Sequence, residues 1–472
     1  MRTENEQQVD AIVIGGGTAG MTAAKEIARE RSNVVLIEAA RTGGDCLYTG
    51  CVPSKSLIAS ARMLHSIRNA SEYGVVVDDP SLDLVQAMSR KTEIIDQISV
   101  VDSPAALEAA GVTVLSGKAR FVSPKTIDVN GRTIESERIV IATGSRPTIP
   151  PIPGLQAAGY LTNEELLSLN DLPARLAVIG GGPTGLELGQ VFSRFGCKVT
   201  IIEQATRVLD RDDKEGVAIL ANSLVGEGIE LITGHTVTGI ERDGLCKILR
   251  IANHDNFTRS IEADEILVAV GRTPNTADLN LGATGVVVGP SGIQVNDRLR
   301  TSVSHIWACG DVIGPPFFTH VADDQARTVA AGVLGHRSSW DGRAIPWVTF
   351  TDPEVAGVGI TEDAARQRYG DKLEVLRFPY EHIDRAVTEG QTNGLIKVLL
   401  APGWMRGLLG GEIVGAHIVG ANAGEMIHQF AFLMAWRLPA GMLAKAVQTY
   451  PTFSLGGRQA IGLHWTKRNS GG

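Results

Sequence analysis

The residues best suited to do chemistry lie in one short segment, Gly43-Gly44-Asp45-Cys46-Leu47-Tyr48-Thr49-Gly50-Cys51-Val52-Pro53-Ser54-Lys55. Four residues separate Cys46 from Cys51. The pattern predicts a helix starting near Pro53, because proline suits a first-turn position where its missing N–H costs nothing. Two thiols about one helical turn apart can close a disulfide when their Cβ atoms face each other. A helix N-terminus also lowers the pKa of the nearer thiol and favours the thiolate that nucleophilic exchange requires. Spacing alone is equally compatible with two unrelated buried cysteines. Of the other thiols, Cys197 opens an apolar run, Cys246 sits in a polar, hairpin-like stretch and Cys309 has no partner in sequence, so all three read as structural. The ten histidines have no metal-ligand spacing.

The elements that would hold this segment come from an internal duplication. Ala11-Ile12-Val13-Ile14 is an apolar run followed by Gly15, Gly17 and Gly20, an Ala-rich helical stretch and a second apolar run closed by Glu38. Leu176-Ala177-Val178-Ile179 leads in the same way to Gly180, Gly182 and Gly185, a helix, and a run closed by Glu203. In both copies the acid lies 23 positions after the first glycine. In such a unit the first glycine permits a tight turn and the second lets backbone approach a pyrophosphate. The third allows close packing of helix on strand, and the helix N-terminus faces the phosphate charge. The carboxylate accepts hydrogen bonds from an adenosine ribose. Each copy has a later strand ending in glycine, Gly144 and Gly271, at 129 and 91 residues from the first glycine. The first copy therefore carries 38 additional residues, the cysteine segment among them.

A chain of 472 residues exceeds what one hydrophobic core serves, so several packed units are expected. An apolar fraction of 43% with 20% charged residues suits a soluble, well-packed protein. The net charge is −8 and no basic stripe is visible, which excludes a nucleic-acid partner. No apolar stretch approaches the roughly 18 residues of a spanning helix, so no membrane partner is expected. Residues 1–10 are polar and acidic, unlike a signal or transit peptide, and five cysteines do not form a secreted disulfide framework. A cytoplasmic location is expected. Proline-rich joints at 146–154 and 273–275 mark crossings out of the first unit and back. From about Ile345 the pattern changes to strands near 394–400 and 411–419 and a helix over 423–438, an α+β unit.

The cysteine segment, the two glycine fingerprints, Ala142-Thr143-Gly144 and Ala308-Cys309-Gly310-Asp311 resemble the pyridine nucleotide–disulfide oxidoreductases. That family includes dihydrolipoyl dehydrogenase, glutathione reductase and mercuric reductase, and the resemblance spans almost the whole chain. It implies an α/β fold with two Rossmann-like dinucleotide-binding domains, for FAD and NAD, plus a C-terminal α+β dimerisation domain, in a homodimer. The divisions expected are 1–147 for the first part of the FAD-binding domain, 148–272 for the NAD-binding domain, 273–343 for the central, second FAD-binding part, and 344–472 for the interface domain. Carried over by position, Gly15, Gly17, Gly20 and Glu38 would hold the adenosine side of FAD. Gly44, Thr143 and Gly144 would also line its site, and Asp311 would grip the ribityl chain. The resemblance makes Cys51 the thiol that contacts the flavin and Cys46 the outer thiol that exchanges with substrate. Lys55 matches a lysine near the flavin N5 and Glu187 its carboxylate partner. From the residues alone, these two read as a surface lysine and a first-turn helix acid. Gly180, Gly182, Gly185, Glu203 and Gly271 would hold the nicotinamide dinucleotide. A carboxylate at Glu203 accepts from a free ribose 2′-hydroxyl and repels a 2′-phosphate, so NAD(H) is expected over NADP(H), against the nearby Arg207. His320 matches a position just before the helix that faces the flavin and is expected to have a local structural role.

Near its C-terminal end the chain departs from the thiol-reducing members. Those carry a His-Pro-Thr string followed by Glu, whereas this sequence has Tyr450-Pro451-Thr452 and Leu455. A phenol titrates near 10 and is no base at neutral pH. Tyr450 would instead donate a hydrogen bond to a departing thiolate or ligate a soft cation. Mercuric reductases resemble the chain in this tyrosine, but they carry a C-terminal cysteine pair and an N-terminal metal-binding module that this sequence does not foretell. Soluble transhydrogenases have a similar Tyr-Pro-Thr string without the cysteine pair. The expected function is transfer of electrons from NAD(P)H through FAD to a Cys46–Cys51 disulfide, then to a small acceptor such as a lipoyl-type disulfide. The alternatives are a mercuric-reductase-like metal ion reductase, a quinone or transhydrogenase-type reductase and, outside catalysis, a flavoprotein redox sensor or a docking partner for a lipoyl carrier. No resident metal is expected.

Overall fold

The apolar run Ala11–Ile14 is buried along its whole length, and burial on both faces is what makes a strand read as continuously apolar rather than alternating. In a computed structural model, which describes residues 6–78, 80–255, 257–402 and 409–469, this run is the central strand of a parallel five-stranded sheet. The order is Ile306–Ala308, Ile139–Ile141, Ala11–Ile14, Val34–Glu38, Val112–Ser116. Alternate residues feed two cores. Ala11, Val13, Leu36 and Val140 pack beneath the helices Thr18–Ala28 and Thr319–Val333, which also lie against each other. Ile12, Ile14, Val35 and Ile37 pack against Phe121, Ile127 and Ile134. Those three belong to a four-stranded sheet ordered Glu6–Gln8, Arg132–Glu135, Thr126–Val129, Ala119–Phe121, which the sequence reading did not anticipate.

The second copy builds a parallel four-stranded sheet ordered Glu230–Thr233, Lys198–Glu203, Arg175–Ile179, Glu265–Val268. Its helix Pro183–Phe195 packs against the helix Cys51–Arg68 of the first copy. Leu57, Ala61 and Leu64 therefore share one apolar core with Val178, Leu188 and Val191. The helix that carries Cys51 thereby packs its apolar face against the second nucleotide unit. The opposite face is covered by an antiparallel sheet of His235–Asp243, Cys246–Asn253 and Thr258–Ala263. The two crossings pair with each other, Ser145–Pro147 antiparallel to Arg272–Pro274.

From Pro346 the chain forms an antiparallel five-stranded sheet ordered Pro346–Thr349, Glu354–Gly359, Glu412–Gly420, Leu395–Ala401, Glu374–Pro379. The helices Ala423–Ala435 and Leu455–Asn469 pack on it. The first of these stops three residues short of the expected 438, because the chain leaves helical geometry at Arg437, where φ is 52°.

The helix expected near Pro53 starts at Cys51, with Gly50 as its N-cap, and Pro53 lies in its first turn as expected. Two local expectations are corrected. Cys46 lies in a separate short helix, Gly44–Tyr48, that closes when the Thr49 N–H donates to the Asp45 carbonyl. The two thiols thus meet across the junction of two helices rather than along one turn. His320 falls inside the first turn of the helix Thr319–Val333, not before it, and its Nε2 lies 2.8 Å from the Pro346 carbonyl.

Candidate active site

Cys51 opens a helix, and a thiol at that position feels the uncapped N–H groups of the first turn. Cys46 and Cys51 are both thiols in this structure. The Cys51 Sγ also lies 3.5 Å from the Thr319 hydroxyl, at the start of a helix 268 residues away. The Cys51 thiol is brought down to about 6, chiefly because the Cys46 thiol donates a hydrogen bond to it. Burial opposes that shift, and the Thr319 hydroxyl and the Lys55 charge reinforce it. Cys46 is driven the other way by the same hydrogen bond, by burial and by the charge on Cys51. The arrangement is a protonated thiol beside a thiolate at neutral pH, the pairing that thiol–disulfide exchange uses.

Lys55 and Glu187 form an ion pair of 2.7 Å between the helices Cys51–Arg68 and Pro183–Phe195. Glu187 is buried, and its second oxygen accepts the Phe350 N–H at 2.9 Å. The Lys55 ammonium lies 4.5 Å from the centroid of the Phe350 ring, a cation–π distance.

The first glycine turn has the shape a pyrophosphate needs. A Cβ on Gly20 would lie 1.8 Å from the Gly15 carbonyl oxygen, so only glycine lets the helix Thr18–Ala28 approach the strand. A Cβ on Gly17 would meet nothing nearer than the Gly44 Cα at 4.0 Å, and no side chain caps this helix. The turn at Gly180, Gly182 and Gly185 repeats the pattern: a Cβ on Gly185 would lie 2.1 Å from the Gly180 oxygen, and one on Gly182 would meet open space. Each terminal acid is fastened to its own turn. Glu38 accepts the N–H groups of Gly16 at 2.5 Å and Ala40 at 2.7 Å, and Glu203 accepts those of Gly181 at 2.6 Å and Ala205 at 2.8 Å. The carboxylates are held in place with lone pairs still available for ribose hydroxyls. Both cradles fit a dinucleotide.

Thr143 and Gly144 line the joint beside the first cradle, where the Thr143 hydroxyl donates to the Asn275 carbonyl at 2.7 Å. Gly144 and Gly271 have φ of 68° and 128°, and a Cβ on either would meet open space. Asp311 accepts from the Ser145 hydroxyl at 2.6 Å, and burial pushes its carboxyl up against that bond. Arg207 is turned back on its own loop, donating to the Asp210 carbonyl, with Nε 3.5 Å from the Asp210 carboxylate.

Tyr450 has a different setting. It is exposed, and its hydroxyl donates to Asp384 at 2.8 Å, a bond that holds the phenol above its usual range. Sequence reading missed Asp384 and Thr319. Neither has a motif around it, and each meets its partner only through the fold.

A family model described as pyridine nucleotide-disulphide oxidoreductase matches residues 9–326, and the dimerisation-domain model of the same family matches residues 345–460. The chain belongs to this family. It is 34% identical over 464 residues to a mercuric reductase from Bacillus cereus, covering 98% of this chain and 72% of that one. It is 36% identical over 457 residues to a dihydrolipoyl dehydrogenase from Thermus scotoductus, covering 95% of both. Among solved structures it is similar to the Cu(II) complex of the HOCl-induced flavoprotein disulfide reductase RclA from Escherichia coli. The TM-score is 0.84 at 30% identity, covering 96% of this chain and 99% of that one.

As a pyridine nucleotide-disulphide oxidoreductase the protein is an FAD-dependent enzyme that also binds a pyridine nucleotide. Its fold is the expected one, Rossmann-like dinucleotide-binding sheets followed by a dimerisation domain that supports a homodimer. No helix among the described residues is long and apolar enough to cross a membrane. No group of three or more His, Cys, Asp or Glu among them is arranged to hold a metal ion.

Proposed function

We propose that the enzyme reduces a small disulfide, of lipoyl type, with NADH, and that Cys46 and Cys51 carry the electrons to it. The observation that carries this reading is the asymmetric thiol pair: Cys51 drawn down to about 6 beside a protonated Cys46, at the start of a helix packed against the second dinucleotide unit. FAD, when bound, relays the two electrons of a hydride from the nicotinamide to a disulfide. Gly15, Gly17, Gly20 and Glu38 would hold its adenosine end, Gly44, Thr143 and Gly144 would flank it, and Asp311 would bind its ribityl chain. Gly180, Gly182, Gly185, Glu203 and Gly271 would hold the nicotinamide dinucleotide.

Cys46 attacks one sulfur of the acceptor and passes its proton to the Cys51 thiolate; the acceptor S–S bond breaks and the first thiolate leaves. Cys51 loses that proton to the departing thiolate as it attacks the Cys46 sulfur, and the second acceptor thiolate leaves and is protonated by solvent. The chain is left with a Cys46–Cys51 disulfide, and two electrons with one further proton have gone to the acceptor. Lys55, held by Glu187, stabilises the Cys51 thiolate. In the dimer the family implies, Tyr450 of the partner subunit turns its hydroxyl from Asp384 to donate to a departing group.

NADH is the preferred donor because the fastened Glu203 carboxylate accepts ribose hydroxyls and repels a 2′-phosphate, while Arg207 is engaged with Asp210. A second reading, reduction of a soft or borderline metal ion, is favoured by the mercuric reductase relatives and by the Cu(II) complex of the similar reductase. An anaerobic NADH titration followed by lipoamide, glutathione disulfide, mercuric ion and quinones tests both. Turnover of lipoamide with retention of the thiol pair supports the first reading. Rapid uptake of NADH electrons that only metal ions discharge supports the second. A stall with every acceptor refutes both and leaves a redox sensor.

A further inference from the structure

Asp45 stands immediately before Cys46, where a carboxylate is awkward: its negative charge disfavours the thiolate that Cys46 must become in order to attack. It also sits next to Gly44, which packs so closely on the first glycine turn that a Cβ there would lie 2.8 Å from the Gly17 Cα. An unpaired anion at this point would repel a bound diphosphate as well. The fold brings a cation to it from 227 positions along the chain. Arg272, on the return crossing, makes an ion pair with Asp45 at 2.6 Å.

The same guanidinium reaches the outgoing crossing. Its Nε donates to the Ser145 hydroxyl at 2.7 Å and its Nη2 to the Ser145 carbonyl at 3.1 Å. Ser145 in turn donates to Asp311 at 2.6 Å, and the Arg272 Nε lies 3.7 Å from that carboxylate. Glu164 also faces Asp45 and Arg272. On the other side, Asp45 accepts from the Thr49 hydroxyl, and Asn163 donates to the Thr49 carbonyl at 2.7 Å. Arg272 is thus one cation among three carboxylates: Asp45 on the short helix of Cys46, Asp311 at the candidate ribityl site, and Glu164 facing both Asp45 and Arg272.

We propose that Arg272 is a positioning residue for Cys46: through Asp45 it ties the short helix Gly44–Tyr48 to the paired crossings and cancels the carboxylate charge beside the thiol pair. This rests on the thiol chemistry proposed above. A guanidinium suits the task because its planar fork serves Asp45 and Ser145 at once, and it stays charged at any working pH.

The consequence has a sign. Removing Arg272 leaves Asp45 uncompensated and makes Cys46 a poorer nucleophile, whereas removing the Asp45 charge makes it a better one. The test is alkylation of Cys46 by iodoacetamide in the holoenzyme reduced anaerobically with NADH, followed by peptide mass spectrometry at a fixed, mildly alkaline pH. Arg272→Gln is expected to slow modification about three- to tenfold, the size of a partly screened charge interaction. Asp45→Asn is expected to accelerate it by a similar factor. The double variant should return near the unaltered rate, as should Arg272→Lys, which keeps the charge. Bound FAD, measured on each variant, reports whether the fold is intact. If Arg272→Gln does not accumulate, Asp45→Asn and Arg272→Lys still decide the matter. Shifts of both single variants in the same direction, or no shift in either, overturn the proposal. If the unaltered enzyme gains no NADH-dependent labelling at Cys46, the thiol-pair reading itself fails, and this proposal with it.

Discussion

At the scale of single residues the chemistry depends on which thiol holds the proton. The Cys51 thiol is drawn down to about 6, so its thiolate should be present at neutral pH and disappear as pH falls through about 6. In the NADH-reduced enzyme this titration should be read from the long-wavelength thiolate–flavin absorbance, and Cys51→Ser should abolish it with FAD still bound. Lys55→Met removes a charge that favours the thiolate and should move the titration upward; an unmoved midpoint would mean that the hydrogen bonds from Cys46 and Thr319, and not the Lys55 charge, hold it down. Glu203 has a comparably simple role. Glu203→Ala should narrow the ratio of kcat/KM for NADH over NADPH about tenfold, by weakening the first and relieving charge repulsion on the second. A wild-type preference for NADPH would contradict this, and Arg207 would be the residue to examine.

At the scale of elements the two strand–turn–helix units can be separated by one methyl group each. Gly20→Ala places a Cβ against the Gly15 oxygen at 1.8 Å, and the enzyme should be isolated without FAD. Gly185→Ala places one at 2.1 Å from the Gly180 oxygen; that enzyme should retain FAD while its KM for NADH rises at least about tenfold, roughly 1.4 kcal/mol. Absorbance of the purified proteins and steady-state kinetics distinguish the two outcomes. Both turns were legible in the sequence because each is a local device: the residues that make the tight turn, the phosphate approach and the acid lie within one short stretch. The start of the helix Cys51–Arg68 was less legible. Gly50 supplies its N-cap, so the first turn begins two residues ahead of the proline that marked it.

At the scale of the whole molecule, long-range charge joins the units. Lys397, 1% exposed, contacts Asp213 at 2.6 Å and Glu215 and Glu362 at 2.9 Å, linking the second nucleotide unit to the C-terminal sheet. Lys397→Met strands three carboxylates, of which Arg377 still serves Glu215 and Glu362. A loss of about 3 kcal/mol is expected in chemical unfolding of the holoenzyme, at the lower end for breaking a buried ion pair. Tyr450 raises a question of the assembled dimer. The Leu455 side chain supplies no carboxylate, and Asp384 meets only the phenol hydroxyl at the far end of Tyr450, beyond the reach of a shorter imidazole ring. Tyr450→His combined with Leu455→Glu should therefore restore an oriented imidazole and increase lipoamide turnover by at least about tenfold, within the usual range for general acid–base help. Tyr450→His alone should gain less, because no carboxylate orients the ring. If the double variant leaves turnover unchanged, proton transfer at this position is not what limits the reaction.

The sequence by itself determined the two dinucleotide units, the cysteine segment and the family they belong to, since each is written in residues a few positions apart whose backbone needs are particular to glycine, cysteine and a terminal acid. It also carried the change to an α+β C-terminal unit, whose antiparallel pairing the structure supplied. Only the tertiary structure decided that Thr319 meets Cys51, that Asp384 takes the Tyr450 proton donor, and that Arg272 faces Asp45. The small sheet of Glu6–Gln8 with Arg132–Glu135 was likewise invisible, because its strands are three or four residues long and pair across the whole first unit. Local turns and caps follow from the residues that form them, whereas a hydrogen bond between distant side chains exists only once packing has brought their backbones together. That is why the cradles could be read in the sequence, and the distant partners Thr319, Asp384 and Arg272 could not.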